Sequence, residues 1–200
     1  MDISTTEARP DTLMDVIRLR RSVRTYTDQP IPEEVLRSIG STVEKAAAAW
    51  GMRNARLIIV REPGEVRRLR RAVFSGVLGK INPWILTTRA HAFIAACGYP
   101  SSTASSDDRA QYLAQAAMLM EVAVLAAAEH GLGTCWLGGF GEAGVKRELS
   151  ITDDLRVVAV SPLGYPSERI RRESNAYMKE GRAALRRMEL RELVTMMEEA

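Results

Sequence analysis

The longest apolar stretch of the sequence, residues 107–140, limits the possible folds more than any other feature. Its centre, residues 112–128, consists mainly of alanine, leucine, methionine and valine, and Gln115 and Glu121 are its main interruptions. A helix with so few polar residues has no complete face for water, so we expect it to be buried on most sides. Such a helix is central to its domain or to an interface.

The residues after this helix form a second pattern. Gly131 is expected to end the helix, because glycine readily adopts the left-handed conformation found just past a helix C-terminus. The short apolar run at residues 132–137 predicts a buried strand. Gly138 and Gly139 follow, and they have two interpretations: they let the backbone approach a ligand closely, or they form a tight turn that closes the strand.

The size and charge of the chain limit its class. A length of 200 residues predicts one domain, spanning residues 1–200, with a sizeable core. The net charge is only +3, and the arginine-rich runs are not interleaved with aromatic residues, so we expect no nucleic-acid partner. His91 and His130 are too few and too isolated to predict a metal site.

Several features bear on the cellular location. Cys97 and Cys135 lie in apolar runs without C-x-x-C spacing, which predicts reduced core residues in a cytoplasmic protein. The N-terminus is polar and lacks the apolar segment of a signal peptide. Glu121 interrupts the longest apolar stretch, which argues against a membrane span. We therefore expect a cytoplasmic protein that has no membrane partner.

A basic segment at residues 20–26 contains candidate binding residues. If it is extended, its side chains alternate, and Arg20, Ser22 and Arg24 point to one side. Two guanidinium groups and a hydroxyl on one side suit a phosphate or another polyanion. The alternative is a solvated basic turn.

Shorter patterns predict the remaining elements. Helices are expected at residues 11–20, 30–49, 63–74 and 142–149, and strands at 56–61, 91–97 and 155–162. Pro83, Trp84 and Ile85 form either a buried turn or a lid. The resulting order, α-α-β-α-β-α-β-α-β, predicts helices packed around a sheet of at least four strands.

Taken together and in order, these stretches resemble the FMN-dependent nitroreductases. The resemblance rests on RRSVR after the first helix, PIPEEVL, the long helix ending in GLGTCWLGGF, and VVAVSPLGYP. GLGTCWLGG is similar in particular to a subgroup with compact chains. The resemblance covers roughly residues 12–60 and 88–195. It implies an α+β fold with a central, mostly antiparallel sheet flanked by helices, and a homodimer with two FMN molecules at its interface.

The resemblance also implies which residues near the N-terminus bind the cofactor. Carried over by position, Arg20, Arg21 and Ser22 match residues near the FMN phosphate and ribityl chain. Arg24 matches the basic residue that faces the pyrimidine ring of the flavin.

Two further groups of residues carry over in the same way. Gly138 and Gly139 match the segment whose backbone N–H faces flavin N5, and Leu137 before them belongs to the cofactor-binding set. Arg186 and Arg187 match a C-terminal basic pair near the phosphate. The alternatives for that pair are Arg169, Arg171 and Arg172.

The sequence departs from the family pattern just before the first strand. The family commonly carries Ser-x-x-Asn-x-Gln-Pro-Trp, but residues 49–56 contain no Gln-Pro-Trp, and the Asn position falls at Gly51 or is shifted to Asn54. We therefore expect weaker FMN binding, altered redox tuning, or both, unless residues 80–84 compensate. The aromatic residues expected to shape the cavity above the ring instead are Trp50, Trp84 and Trp136.

The function implied by the resemblance is hydride transfer from NAD(P)H through FMN to a nitroaromatic, quinone or similar flat acceptor. A flavin-dependent oxidase or dehydrogenase of a biosynthetic intermediate is one alternative, and a non-catalytic flavin-binding or dimeric scaffold is another. Since the flavin carries the redox chemistry, no catalytic side chain is assigned. Glu121 is expected to pair with an arginine across the dimer rather than to act as an acid.

Overall fold

A computed structural model describes Pro10, residues 12–100 and residues 106–170. The helices are α1 (Leu13–Leu19), α2 (Glu33–Ala49), α3 (Pro63–Phe74), α4 (Gly76–Gly79), α5 (Ser106–Glu129) and α6 (Glu142–Glu148), with a 3-10 helix at Pro83–Thr87. The strands are β1 (Ala55–Val60), β2 (Ala92–Gly98), β3 (Gly133–Thr134) and β4 (Arg156–Gly164).

The four strands form one sheet in the order β1-β2-β4-β3, and every neighbouring pair is antiparallel. The register of β2 and β4 shifts between Ala96 and Cys97, where the ladder is irregular. The expected α+β architecture, a mostly antiparallel sheet flanked by helices, is confirmed.

Helices cover both faces of the sheet, and β2 shows why. All seven of its residues are buried, and they alternate between two hydrophobic cores. Ala92, Ile94 and Ala96 contribute to the core shared with α2 and α5. Phe93, Ala95 and Cys97 contribute to the core shared with α3 and α6. A strand with two packed faces is apolar throughout, as the sequence of β2 is.

The long helix α5 packs on the sheet, but it is not buried on most sides. Ala116, Met120 and Ala123 are fully buried, whereas the side chains of Leu113 and Met118 are 44% and 45% exposed. The expectation of a wrapped helix is therefore wrong for the single chain, because α2 and the sheet cover only part of its circumference.

By length and composition alone, part of α5, Gln111–Glu129, could cross a membrane. This helix nevertheless supplies much of the core shared with α2 and the sheet, including Leu119, Val124 and Ala127. An apolar core helix of a globular domain passes the same test of length and composition.

The structure corrects one smaller expectation and decides between the two alternatives of another. The strand expected at residues 132–137 is only two residues long, and Leu137 rejoins the sheet later through an isolated bridge to Val160. Gly139 and its neighbours bend the chain between that bridge and α6. Ile85 is fully buried, so the turn at Pro83–Thr87 is a packed element rather than a free lid.

Candidate functional site

The basic segment at residues 20–24 is extended and lies along β3. Ser22 forms a parallel bridge with Thr134, and the backbone N–H of Val23 donates to the Thr134 carbonyl at 2.7 Å. Val23 is buried, whereas Arg20, Ser22 and Arg24 are exposed. The predicted alternation of side chains is therefore confirmed, and it places two guanidinium groups and a hydroxyl on one open side.

Two buried contacts hold this segment in place. The Tyr26 hydroxyl donates to the Val23 carbonyl at 2.5 Å, and burial raises the pKa of that phenol well above its ordinary value. Tyr26 therefore remains a protonated donor. On the other side of Val23, a Cβ added at Gly133 would lie 2.7 Å from the Val23 side chain, so only glycine permits this approach.

A glycine bend lies downstream of β3. The backbones of Leu137 and Val160 exchange two hydrogen bonds, of 2.8 and 3.1 Å, which fix where the bend begins. Gly138 is exposed, and a Cβ added there would meet nothing within 4 Å. Gly141 closes the bend tightly against Ser75, where a Cβ would collide with backbone. The backbone at Gly138 is therefore open to a ligand, while the residues on either side of the bend are fixed by their contacts with Val160 and Ser75.

A third segment joins the basic segment to the glycine bend. The Arg24 guanidinium lies 5.8 Å from the centroid of the Trp84 ring. The indole N–H of Trp84 donates to the Asn82 side-chain oxygen at 3.3 Å, and the Asn82 amide donates to the Gly139 carbonyl at 3.4 Å. We call this group, with Arg20, Ser22 and Gly138, the Arg24–Gly139 cluster.

The Arg24–Gly139 cluster carries positive charge that the described part of the chain does not neutralise. Among the described residues, the Arg20 side chain has no ion-pair or hydrogen-bond partner, and the Arg24 side chain has only its contact with Trp84. Two residues before Arg20, the buried Nε–H of Arg18 has no acceptor in the described part of the chain, although its Nη1 lies 3.9 Å from Asp15. The unpaired guanidinium groups of Arg20 and Arg24 form a donor set that suits a phosphorylated ligand.

Some expected site residues lie elsewhere or outside the described residues. Arg186, Arg187 and two of their alternatives fall outside the residues that the structure describes, whereas Arg169 is described. Asn54 does not face the cluster: its backbone N–H donates to the Gln115 side chain at 2.9 Å, and its side-chain amide donates to Gln111 at 3.3 Å.

Sequence reasoning did not assign Asn82 to the site. The available signal was the Asn-Pro-Trp run at residues 82–84, where proline predicts a turn and the flanking polar and aromatic side chains can face a ligand. Trp84 contacts Arg24, and Asn82 bonds to Gly139. These contacts join segments far apart in the chain, and no local pattern encodes them.

Both histidines have structural contacts. His91 Nε2 lies 2.8 Å from the Asp28 carbonyl, and His130 Nε2 lies 3.1 Å from the Ser38 hydroxyl. Within the described ranges, no group of His, Cys, Asp and Glu side chains could hold a metal ion. Burial raises the pKa of Cys97 to about 12, so this thiol stays protonated.

Comparisons with known proteins agree with the fold. A family model described as Nitroreductase family matches residues 17–165. A protein of Thermus thermophilus named NADH dehydrogenase is 28% identical over 172 residues, covering 74% of this chain and 84% of the relative.

Solved structures of similar proteins have the same architecture. A nitroreductase family protein from Clostridium novyi NT is 27% identical, with a TM-score of 0.67, covering 79% of this chain and 88% of the other. An FMN-dependent nitroreductase from Clostridium difficile R20291 is 21% identical, with a TM-score of 0.62, covering 78% and 88%.

Proposed function

This chain belongs to the nitroreductase family and is therefore an oxidoreductase, and from this premise we propose that it uses FMN to transfer hydride from NAD(P)H to a nitroaromatic, quinone or similar flat acceptor. The observation that carries the proposal is the Arg24–Gly139 cluster, in which Arg24 is linked through Trp84 and Asn82 to the open backbone of the glycine bend. That FMN is the cofactor is supported by the name of one structural neighbour, an FMN-dependent nitroreductase.

The residues present fit the chemistry of FMN. Arg20 and Ser22 offer charge-assisted and hydroxyl hydrogen bonds to the phosphate and ribityl chain, with Arg21 beside them. Arg24 offers a cation to the pyrimidine edge. Gly138, where no side chain blocks the backbone, offers its N–H to N5. Arg186 and Arg187 remain proposed as additional phosphate ligands.

Residues 49–56 lack the Asn and Gln-Pro-Trp of the family pattern, and Asn82 offers a side-chain amide in their place. Its bond to the Gly139 carbonyl, at 3.4 Å, is at the long end of hydrogen-bonding distance, so the amide can turn toward a ligand at little cost. We therefore propose that the turn at residues 82–84 compensates in part for the absent Asn and Gln-Pro-Trp. This favours tighter binding of FMN than the weak binding expected from residues 49–56 alone.

FMN, when bound, supplies the acceptance and donation of hydride. The contribution of the protein is electrostatic and steric. Arg24 would stabilise negative charge on the pyrimidine edge of a bound flavin, and its position over Trp84 limits the orientations of its guanidinium. The N–H of Gly138 is a fixed donor that requires no side-chain movement. No side chain is assigned as a proton donor.

Aromatic residues near the bend support the proposed acceptor class. Trp84 belongs to the cluster, and Trp136, which is 39% exposed, immediately precedes Leu137. Flat π-systems stack favourably on such rings, which supports quinones and nitroaromatics as acceptors. Trp50 lies at the C-terminal end of α2 and is also exposed, but no contact links it to the cluster.

We also propose that the protein is a homodimer. α1 and α5 contact one another and together expose large apolar side chains. These are Leu13, Met14, Ile17, Leu113 and Met118. A second copy is the occupant that covers such a face, and the many alanines of α5 permit close helix approach. Glu121, on the same helix, has no ion-pair partner among the described residues, and its proposed partner is an arginine of the second copy.

The proposed location is the cytoplasm, with no nucleic-acid or membrane partner. It is supported by Cys97 and Cys135, which are both free thiols and both buried.

Visible absorption of the purified protein tests the cofactor. After reconstitution with excess FMN, we expect a bound flavin spectrum that bleaches with anaerobic NADH or NADPH and recovers when menadione or nitrofurazone is added. Bleaching by neither nucleotide would favour an oxidase or dehydrogenase of another substrate. Failure of FMN to bind at high micromolar concentration would leave the scaffold alternative.

A further inference from the structure

A surface cavity of about 400 Å³ lies between α6, the turn that follows it and the start of β4. Most of its lining is charged, and the charged residues are Glu142, Lys146, Arg147, Asp153 and Arg156. Three of them are basic and two are acidic. No member of the Arg24–Gly139 cluster lines this cavity, so it is a separate feature of the molecule.

One of the two carboxylates forms hydrogen bonds through both of its oxygens. Glu142 accepts hydrogen bonds from Arg156 through both oxygens, at 2.7 and 2.8 Å, and from the backbone N–H of Val157 at 3.1 Å. The bidentate contact with Arg156 holds the pKa of Glu142 below its ordinary value. This pair is neutral overall, and it forms one fixed wall of the cavity.

The other two cations differ in their compensation. The Lys146 side chain is only 14% exposed, and its Nζ lies 3.4 Å from a carboxylate oxygen of the solvent-exposed Asp153 and donates to the Asp153 backbone carbonyl at 3.2 Å. Arg147 forms no ion pair or hydrogen bond through its side chain with any described residue. The cavity therefore has a net charge of +1, carried by Arg147, because each of the other two cations is paired with a carboxylate.

The turn after α6 orients these two residues. The N–H of Ile151 donates to the Lys146 carbonyl at 2.9 Å, and the N–H of Ser150 donates to the Arg147 carbonyl at 3.3 Å. Ser150 has a φ of 51°, in the left-handed region that favours glycine. The backbone that carries Lys146 and Arg147 is thus fixed at the C-terminal end of α6.

We propose that this cavity is a second ligand site, which binds the phosphate group of a small molecule. Arg147 offers an uncompensated guanidinium fork to the phosphate, and Lys146, which lines the same cavity, offers the ammonium N–H that Asp153 does not use. The volume is in the range of small-molecule sites and exceeds that of inorganic phosphate. Ala143 and Ile151 supply an apolar wall for the remainder of the molecule.

The test uses inorganic phosphate and phenyl phosphate as probes, with backbone amide shifts as the readout. FMN-saturated protein is titrated first, so that the Arg24–Gly139 cluster is filled. The same titration is repeated on an Arg20→Ala variant without FMN, which keeps the result independent of the proposed cofactor. Shifts at residues 142–156 in both preparations are expected, with phenyl phosphate binding more tightly than phosphate.

Two arginine variants distinguish specific binding in the cavity from nonspecific electrostatic attraction of phosphate to the protein surface. Arg147→Ala should weaken binding of both probes by about tenfold or more, the loss typical of a charge-assisted hydrogen bond. Arg67→Ala removes an exposed arginine of α3 that does not line the cavity, and it should change binding little. Equal weakening by the two variants, or no shifts at residues 142–156 at millimolar probe, would overturn the proposal.

Discussion

The division of roles between two exposed arginines is the most informative prediction. Arg24 contacts Trp84 and is proposed to face the flavin pyrimidine, whereas Arg20 is proposed to bind the phosphate. Replacing either with alanine removes one positive charge from the same extended segment. The two substitutions are therefore matched in size and charge, and each serves as the control for the other, with the difference that Arg20 is the C-cap of α1.

The magnitudes follow from these environments. Arg20→Ala loses a charge-assisted hydrogen bond and should weaken FMN binding by about 1.5–3 kcal/mol, with little effect on the flavin potential. Arg24→Ala loses a cation–π contact of about 0.5–1 kcal/mol at this exposed site, which limits its effect on protein stability. Its larger effect is on the reduced flavin: losing about 1.4–2.8 kcal/mol of anion stabilisation lowers the two-electron midpoint potential by about 30–60 mV.

Fluorescence-quenching titration gives the FMN affinities, and dye-coupled redox titration gives the midpoint potentials. The expected pattern is weak binding with normal potential for Arg20→Ala, and moderate binding with lowered potential for Arg24→Ala. The proposed division of roles is refuted if both variants lose the same affinity and neither shifts the potential.

The remaining predictions concern Asn82, the hydrogen bond of Tyr26, the proposed dimer and the dependence of protein stability on pH. Asn82→Ala should weaken FMN binding by about 0.5–1.5 kcal/mol in the same titration; unchanged affinity would remove Asn82 from the site. Tyr26→Phe leaves a buried carbonyl without its donor and should lower the free energy of unfolding in urea by about 1–3 kcal/mol, whereas an unchanged midpoint would contradict the anchoring role. Met118→Glu should convert a dimer to a monomer in light scattering, while Val77→Glu, on an exposed site away from α5, should not; a wild-type mass of 22.1 kDa would refute the dimer. Because its arginine partner lowers the pKa of Glu142, the stabilising effect of this carboxylate is present above its ordinary pKa of 4.5 and is lost as the pH falls through the lowered value. The difference in unfolding free energy between wild type and Glu142→Gln should therefore shrink between pH 7 and pH 3, and a constant difference would argue against the pair.

Local patterns in the sequence determined most of the elements. α3 begins at Pro63 and ends at Phe74, as its proline start and apolar periodicity predict. α5 ends just before Gly131, which has a φ of 70°. These features depend on residues within a few positions of one another, so the chain encodes them without reference to the rest of the fold.

The basic segment is an intermediate case. Its alternation of exposed and buried side chains was predictable, because any extended segment alternates. What holds it extended is not local, since Val23 bonds to Thr134 on a strand more than one hundred positions away in the chain. The sequence therefore favoured an anion site and a solvated turn equally, and only the contact with β3 makes the segment part of a rigid surface.

Tertiary structure alone decided the composition of the cluster and the exposed side of α5. Arg24, Trp84, Asn82 and Gly139 meet because the turn before β2 packs between two distant segments, and hydrogen bonds of that kind leave no periodic signal in the sequence. An apolar composition likewise predicts burial for α5 without stating what covers it. The sheet and α2 cover one side of α5 and leave apolar side chains exposed on another. Because exposing apolar surface to water is unfavourable, this uncovered side supports the proposal that a second copy of the chain packs against it.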